Sequence, residues 1–222
     1  MASRVTEKKL VGLLYAMGRT FNGLSSTRLA TSEFLQTGNP LVLGSRDDLL
    51  LLQDLQSASR FVLKYDYLSQ SFDVDYLRAI NACMTRTAAI APGVLRTSES
   101  VGVHLADGQM YIPPVPNADR LNSVLHSAIV SQGTLEDAAR LFAIIAKTQP
   151  FGDGNKRTAL LAANGLLLAK KSHFIISVPT ESADVATFNR LLSNWYVTAH
   201  TADGEIISWL AQWNREDQRE VK

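Results

Sequence analysis

The segment 149–160 reads Gln-Pro-Phe-Gly-Asp-Gly-Asn-Lys-Arg-Thr-Ala-Leu: turn formers, one carboxylate and two cations ahead of an apolar run. A helix that opens directly out of such a turn has no partners for its first amide groups, and its dipole turns its positive end the same way. Gly154 lets backbone and ligand come close, and Lys156 and Arg157 add full charges, so the pattern points to a phosphate site at a helix N-terminus. Asp153 puts a single carboxylate beside that anion, where Mg²⁺ would bridge it to phosphate oxygens.

On these residues the segment resembles the signature of Fic/Doc (Fido) domains, His-x-Phe-x-Asp/Glu-Gly-Asn-Gly/Lys-Arg-x-x-Arg. Members of that family mostly transfer AMP from ATP to a protein hydroxyl, and the Doc branch transfers phosphate. The resemblance implies ATP or another nucleotide, with Mg²⁺, as cofactors. Residue by residue it implies Phe151 as the buried anchor of the loop and Asp153 as the metal ligand. Gly154, Asn155 and Lys156 would form the anion hole, and Arg157 would pair with a phosphate.

Two positions depart from the signature. Gln149 stands at the catalytic position where the family has its general-base His, and Leu160 stands where it has a second Arg. The ending Asn-Lys-Arg-Thr-Ala-Leu is Doc-like. An imidazole takes a proton from an attacking hydroxyl near neutral pH, whereas a carboxamide can orient that hydroxyl but not deprotonate it. General-base help is worth on the order of a hundred- to ten-thousand-fold. Two functions therefore stay open: a transferase of AMP or phosphate to protein hydroxyls, or an inactive Fido scaffold serving as a nucleotide- or peptide-binding module.

Upstream, Asp107-Gly108 lies between alternating segments and predicts a hairpin, which Pro113, Pro114 and Pro116 then end. By resemblance this is the Fido flap, over 95–113, whose stretch 101–112 would dock a target protein as an added strand. His104, on the flap, is the one histidine placed to reach the loop; His126 reads as a backbone or solvent partner, and His173 and His200 as helix-end cations. Many Fido proteins carry an inhibitory helix of the form Ser/Thr-x-x-x-Glu-Gly/Asn. The stretch 22–26 falls where it would lie but has Ser25 in place of the Glu, Glu33 is followed by Phe34, and Leu160 offers such a Glu no partner. Self-inhibition of that kind is not expected.

These pieces need a scaffold, and the periodicity supplies an almost entirely helical one. Helices are predicted over 4–18, 31–38 (stopped by Gly38), 45–64 (capped by Ser45) and 73–86 (opened by Asp73). Others follow over 119–131, 134–148 (a capping box at Thr134), 155–171, 181–199 and 204–215, with a β-rich stretch at 174–178 and packing roles for Trp195, Trp209 and Trp213. The fold class is all-α: a Fido-type helical bundle with a small β-hairpin flap before the phosphate-binding loop. Its expected parts are an N-terminal helical extension over 1–44, a Fido core over 45–200 with the motif loop and helix at 149–171, and a C-terminal helix over 201–222.

With 222 residues, 46% apolar and 19% charged, the chain can bury a full core as one domain. A net charge of +1 gives no reason to expect nucleic-acid or membrane affinity. The longest apolar stretch, 159–169, is too short to cross a bilayer, and the N-terminus lacks a signal-peptide core. Cys83, the single cysteine, reads as an inert, buried thiol, and a reducing cytoplasm is the expected setting. An antitoxin-like partner or a homo-oligomer stays open by resemblance. No His/Cys cluster has zinc spacing.

Overall fold

The structure, a computed structural model, describes residues 7–87, 91–99, 101–198 and 204–220. Among these, the elements in order are α1 (Glu7–Asn22), α2 (Arg28–Thr37), a 3-10 turn (Pro40–Val42), α3 (Arg46–Lys64) and α4 (Val74–Ala82). The hairpin strands β1 (Val103–His104) and β2 (Met110–Tyr111) follow. Then come α5 (Ala118–Val130), α6 (Leu135–Thr148), α7 (Asn155–Ala169), α8 (Ser182–Val197) and α9 (Glu205–Glu220). The fold is all-α with one two-stranded antiparallel sheet, pairing Val103 with Tyr111 and His104 with Met110. No helix among the described residues is long and apolar enough to cross a membrane.

The predicted start and stop signals act where the sequence puts them. The Ser45 hydroxyl accepts from the Asp48 amide at 3.0 Å, and Asp73 caps α4 through the amides of Asp75 and Tyr76. Gly38 closes α2 in the left-handed region, and Thr134 with Asp137 forms the full capping box of α6. Asp48 in turn ties α3 to the connection after α1, accepting from the amides and hydroxyls of both Ser25 and Ser26.

α7 is the strut of the bundle. It is buried from Arg157 to Leu167 and packs on α1, α3, α4, α5 and α6. A helix surrounded in this way needs short side chains where its neighbours come close, which Ala159, Ala162, Ala163 and Gly165 provide. α6 lies along α7 on one side, and α9 packs against α6 and α8. Trp195 is buried with its indole N–H donating to the Ala143 carbonyl at 2.9 Å, and Trp209 stacks on Trp213.

Several boundaries differ from expectation for identifiable reasons. α4 stops at Ala82, short of residue 86, because the amides of Arg86 and Thr87 are captured by the buried Asp54 carboxylate instead of continuing the helix. Residues 174–178 form no strand. Their backbone is satisfied by side-chain amides: Asn164 bonds Ile176 in both directions, and Asn214 does the same for Ser177. Cys83 is half-buried at the end of α4, where burial raises its thiol above the ordinary value. Val5, Ser100 and His200 lie outside the described residues.

Gly165 tests the close packing around the strut. A methyl there would overlap the Tyr76 hydroxyl and press on that of Tyr67. The helix-propensity gain of Gly→Ala is at most about 1 kcal/mol. Overpacking a buried site costs about 1–3 kcal/mol, and the displaced hydroxyl pair adds to it. Gly165→Ala is therefore expected to destabilise the fold by about 1–3 kcal/mol in denaturant unfolding, the reverse of what propensity alone would give.

Candidate functional site

The loop from Gln149 to Gly154 joins the C-terminus of α6 to the N-terminus of α7. Gln149 ends α6 in the left-handed region (φ 45°, ψ 60°), its amide donating to the Ile145 carbonyl at 3.1 Å. Phe151 is fully buried and pairs with Leu95 in an antiparallel bridge, and the Arg96 amide donates to the Pro150 carbonyl at 3.0 Å. Phe151 is thus the loop anchor expected of it. The Asn155 side chain closes the turn by bonding Phe151 twice, accepting from its amide at 2.8 Å and donating to its carbonyl at 2.9 Å. Gly154 has φ 74°, and a Cβ there would stand 3.0 Å from the Asn81 Nδ2 and 3.1 Å from the Met84 sulfur. Only glycine fits both demands.

This turn leaves the start of α7 open. Thr158 is the first residue to close an intrahelical bond, to the Gly154 carbonyl at 2.9 Å. No side chain caps the helix, and among the described residues the amides of Asn155, Lys156 and Arg157 have no acceptor. They border a cavity of about 230 Å³ whose wall includes Phe21, Asn22, Gly102, Gln149, Asp153 and Lys156. Asp153 keeps its side chain half-exposed at the rim, with one carboxylate oxygen 2.5 Å from the Gly154 amide. Lys156 runs over the Phe21 ring at 5.8 Å, and burial lowers its ammonium pKa below the ordinary value. It also borders a second cavity, of about 260 Å³, under the flap with Thr20, His104, Asn189, Ser193 and Tyr196.

The six predicted site residues come together, but two side chains do work other than that implied for them. The Asn155 side chain is used up in holding the loop, so only its amide is free for an anion. The Arg157 guanidinium is turned beneath the loop at 2% exposure. It donates to the Thr87 hydroxyl at 2.7 Å and lies 3.5 Å from Asp153. Burial lowers its pKa, and the carboxylates of Asp153 and Asp54 oppose that shift. Thr87 is in turn held by Asp54, fully buried, which accepts both its amide and its hydroxyl at 2.8 Å.

Gln149 is 5% exposed, and its amide nitrogen donates to the Ala146 carbonyl at 2.6 Å. The Tyr196 hydroxyl faces it without a hydrogen bond of ordinary geometry, and burial pushes that phenol upward. His104 is exposed on β1 and borders the second cavity, not the one around the amides. Asn22 and Phe21, at the end of α1, wall the first cavity, while Ser25 is bonded to Asp48.

Sequence reasoning missed Asn81, Asp54, Thr87 and Arg96. Asn81, buried, donates to the Asp153 carbonyl at 3.0 Å and to the Thr158 hydroxyl at 3.2 Å, and accepts from the Gly93 amide at 2.8 Å. It therefore fixes the loop against α4. Its signal was available: Asn81 falls in the apolar stripe Leu77, Ile80, Met84, as Asp54 falls in the stripe Leu51, Leu55, Ala58. A polar residue in such a stripe must find partners, and here the partners are the loop and its supports.

Comparison with known proteins agrees with this geometry. The sequence pattern of the Fic/DOC family matches residues 71–167, a span that runs from the start of α4 through the loop and most of α7. No curated protein matches the chain. Among solved structures, a Fic-domain-containing signaling protein from Bacteroides thetaiotaomicron is 18% identical, with a TM-score of 0.70 over 93% of this chain and 82% of that one. Fic-1 from C. elegans is 16% identical, with a TM-score of 0.75 over 95% of this chain and 62% of that one. A substituted form of Fic-1 gives 17% and 0.72, over 98% and 64%. The chain thus spans less than two thirds of the Fic-1 chains, and at these identities the likeness is one of fold.

Residues three apart share a helix face, and the one shared by positions 157 and 160 is the interior face, where Leu160 is fully buried. Leu160→Arg would place an unpaired charge in the core of the bundle. It is expected to cost more than about 3 kcal/mol in denaturant unfolding, without strengthening any phosphate contact.

Proposed function

We propose that this chain binds an Mg-adenine nucleotide with its phosphates on the first turn of α7. The observation that carries the reading is the set of three unpartnered amides at Asn155, Lys156 and Arg157, opening on a cavity edged by one half-exposed carboxylate. Anions at such a helix start gain typically 0.3–1 kcal/mol from the dipole, up to about 2 kcal/mol when partly buried, beyond the hydrogen bonds themselves. Neither cavity alone reaches the roughly 300 Å³ usual for a small-molecule pocket. Both are lined by Lys156 and together they exceed it; on this reading the phosphates lie at the loop and the nucleoside under the flap.

Magnesium fits this site only as part of a nucleotide complex. Among the described residues no group of three or more His, Cys, Asp or Glu gathers to hold a metal. Asp153 offers one reachable carboxylate, which is how Mg²⁺ is commonly held when phosphate oxygens and water complete its shell. Bound there, the ion neutralises phosphate charge. The chain's own residues orient the phosphates by their amides, and Lys156 supplies a cation from a partly desolvated position.

Transfer is the finer part of the proposal. A protein hydroxyl docked along the 101–112 flap would attack the α phosphorus, displacing pyrophosphate, or the γ phosphorus, displacing ADP, and in either case must lose its proton. The titratable side chains around the first cavity are Asp153, Lys156 and Arg157, and Gln149 cannot take that proton. This absence favours a second reading: a Fic scaffold that binds nucleotide or peptide and turns over slowly or not at all.

Calorimetry with Mg-ATP tests the common ground. Binding that depends on Mg²⁺ is expected, and Asp153→Ala should weaken it roughly ten- to a hundred-fold, as the loss of one charge-assisted contact worth about 1.5–3 kcal/mol. No binding at millimolar nucleotide would end the proposal. Arg157→Ala is a poorer probe because that side chain is buried in the Thr87–Asp54 network, so it should lower fold stability as well as affinity.

Restoring a base at position 149 tests transfer. Histidine is among the residues enriched in the left-handed region that Gln149 occupies, so Gln149→His should fit the turn. With ATP labelled separately at the α and γ phosphates, the variant is expected to raise label transfer to protein by roughly a hundred- to ten-thousand-fold. Label from α marks AMP transfer and label from γ marks phosphorylation. A variant that binds nucleotide and labels nothing would leave the binding-module reading standing.

A further inference from the structure

Arg96 is buried, and its hydrogen bonds among the described residues go to backbone carbonyls, with the nearby Glu99 carboxylate opposing the effect of burial on its pKa. Its guanidinium is spent on four backbone carbonyls. Nε donates to Gln149 at 2.5 Å, Nη1 to Ser98 at 2.7 Å, and Nη2 to Pro114 at 2.6 Å and Thr148 at 3.2 Å. Ser98 lies just before the hairpin and Pro114 just after it, while Thr148 and Gln149 are the last residue of α6 and the residue that caps it. One planar side chain therefore cinches both stems of the 98–114 excursion together and fastens them to the start of the phosphate loop. The Arg96 amide adds a fifth link, to the Pro150 carbonyl.

We infer that Arg96 is the positioning residue that sets the flap edge against position 149, coupling the peptide-docking hairpin to the loop that holds the reacting phosphate. Three facts favour this over a general packing role. The hairpin is too short to place itself, with two residues in each strand. Its tip is anchored by the buried Leu105, by the Ala106 amide donating to the Ser193 hydroxyl and by Tyr111 stacked on Tyr196, none of which is a bond to the 149–154 loop. The loop, by contrast, has independent supports in Asn155 and Asn81, so it does not need Arg96 to keep its shape. The fixed fork of a guanidinium can serve carbonyls from three segments at once, which a single ammonium cannot. The role of the flap in docking a protein target rests on the function proposed above; the mechanical coupling does not.

The test compares the full chain with Arg96→Lys and Arg96→Gln by amide hydrogen exchange. In the unmodified protein, the amides of Arg96 and of Gln149, which cap the two sides of the junction, should open as one unit as denaturant is raised. In Arg96→Lys, the hairpin amides of Leu105 and Gly108 should exchange at least about tenfold faster, the equivalent of one lost charge-assisted hydrogen bond, while the amides of α7 keep their protection. Arg96→Gln, which removes the charge, should give the same pattern. Mg-ATP should slow exchange at 95–99 in the unmodified protein and not in Arg96→Lys, with nucleotide affinity kept within about twofold. Separate opening of the two junction amides in the unmodified protein would overturn the inference even if both variants failed to fold. Equal flap exchange in folded Arg96→Lys, or full rescue by lysine, would overturn it too. If Mg-ATP binds neither protein, the nucleotide reading fails, and the exchange of the free proteins still decides the coupling.

Discussion

A helix buried along most of its length must still begin somewhere, and its first amides must then find acceptors or face a partner from outside. α7 meets that constraint by starting at a left-handed glycine with no side-chain cap, immediately beneath a cavity. The loop side chains that could have satisfied its amides are engaged elsewhere. Asn155 bonds back to Phe151, and Asp153 reaches the Gly154 amide. Much of the fold around this point serves to hold the helix start in place while leaving it bare. α4 supplies Asn81 to the loop carbonyl, and α3 supplies Asp54, which through Thr87 holds Arg157 beneath it.

Burying Arg157 and Asp54 near each other is expensive unless their hydrogen bonds are filled, because desolvating two charges can exceed what their attraction returns. Here they do not touch directly. Thr87 stands between them, donating its hydroxyl proton to Asp54 and accepting from Arg157, so each charge meets an oriented dipole. The arrangement explains why α4 ends early, since residues 86 and 87 must leave the helix to reach Asp54. It also ties the stability of the core to the geometry of the 149–154 loop, because the Asp153 carboxylate lies 3.5 Å from the same guanidinium.

What could be read from the sequence follows from how local each feature is. The caps at Ser45, Asp73 and Thr134 and the stop at Gly38 act over three or four residues, and their helices begin and end where those residues dictate. The loop motif is likewise continuous in sequence, so its placement at the head of a helix was legible along with the flap turn at Asp107-Gly108. Apart from shifted helix ends, the misses are long-range. Residues 174–178 have strand-like composition but pair with side chains of Asn164 and Asn214 from distant helices, which no local pattern announces. Asn81 and Arg96 act on the loop from 72 and 53 residues away. Their only trace was a polar or charged residue where burial was due.

The two departures from the family signature differ in what the structure makes of them. Leu160 completes the apolar interior face of α7 and is a settled part of the core; reversing it would require rebuilding its neighbours. Gln149 is different. Its backbone conformation, its bond from Arg96 and its place on the cavity wall depend on main-chain atoms that any residue tolerating the left-handed region would preserve. Its side chain makes one hydrogen bond, to Ala146, and stands beside a buried phenol with no other partner. An imidazole at 149 would keep the backbone clamp and exchange that one bond for a titratable nitrogen. The scaffold around position 149 would therefore accept a histidine, and the departure from the family signature at Gln149 is confined to the side chain.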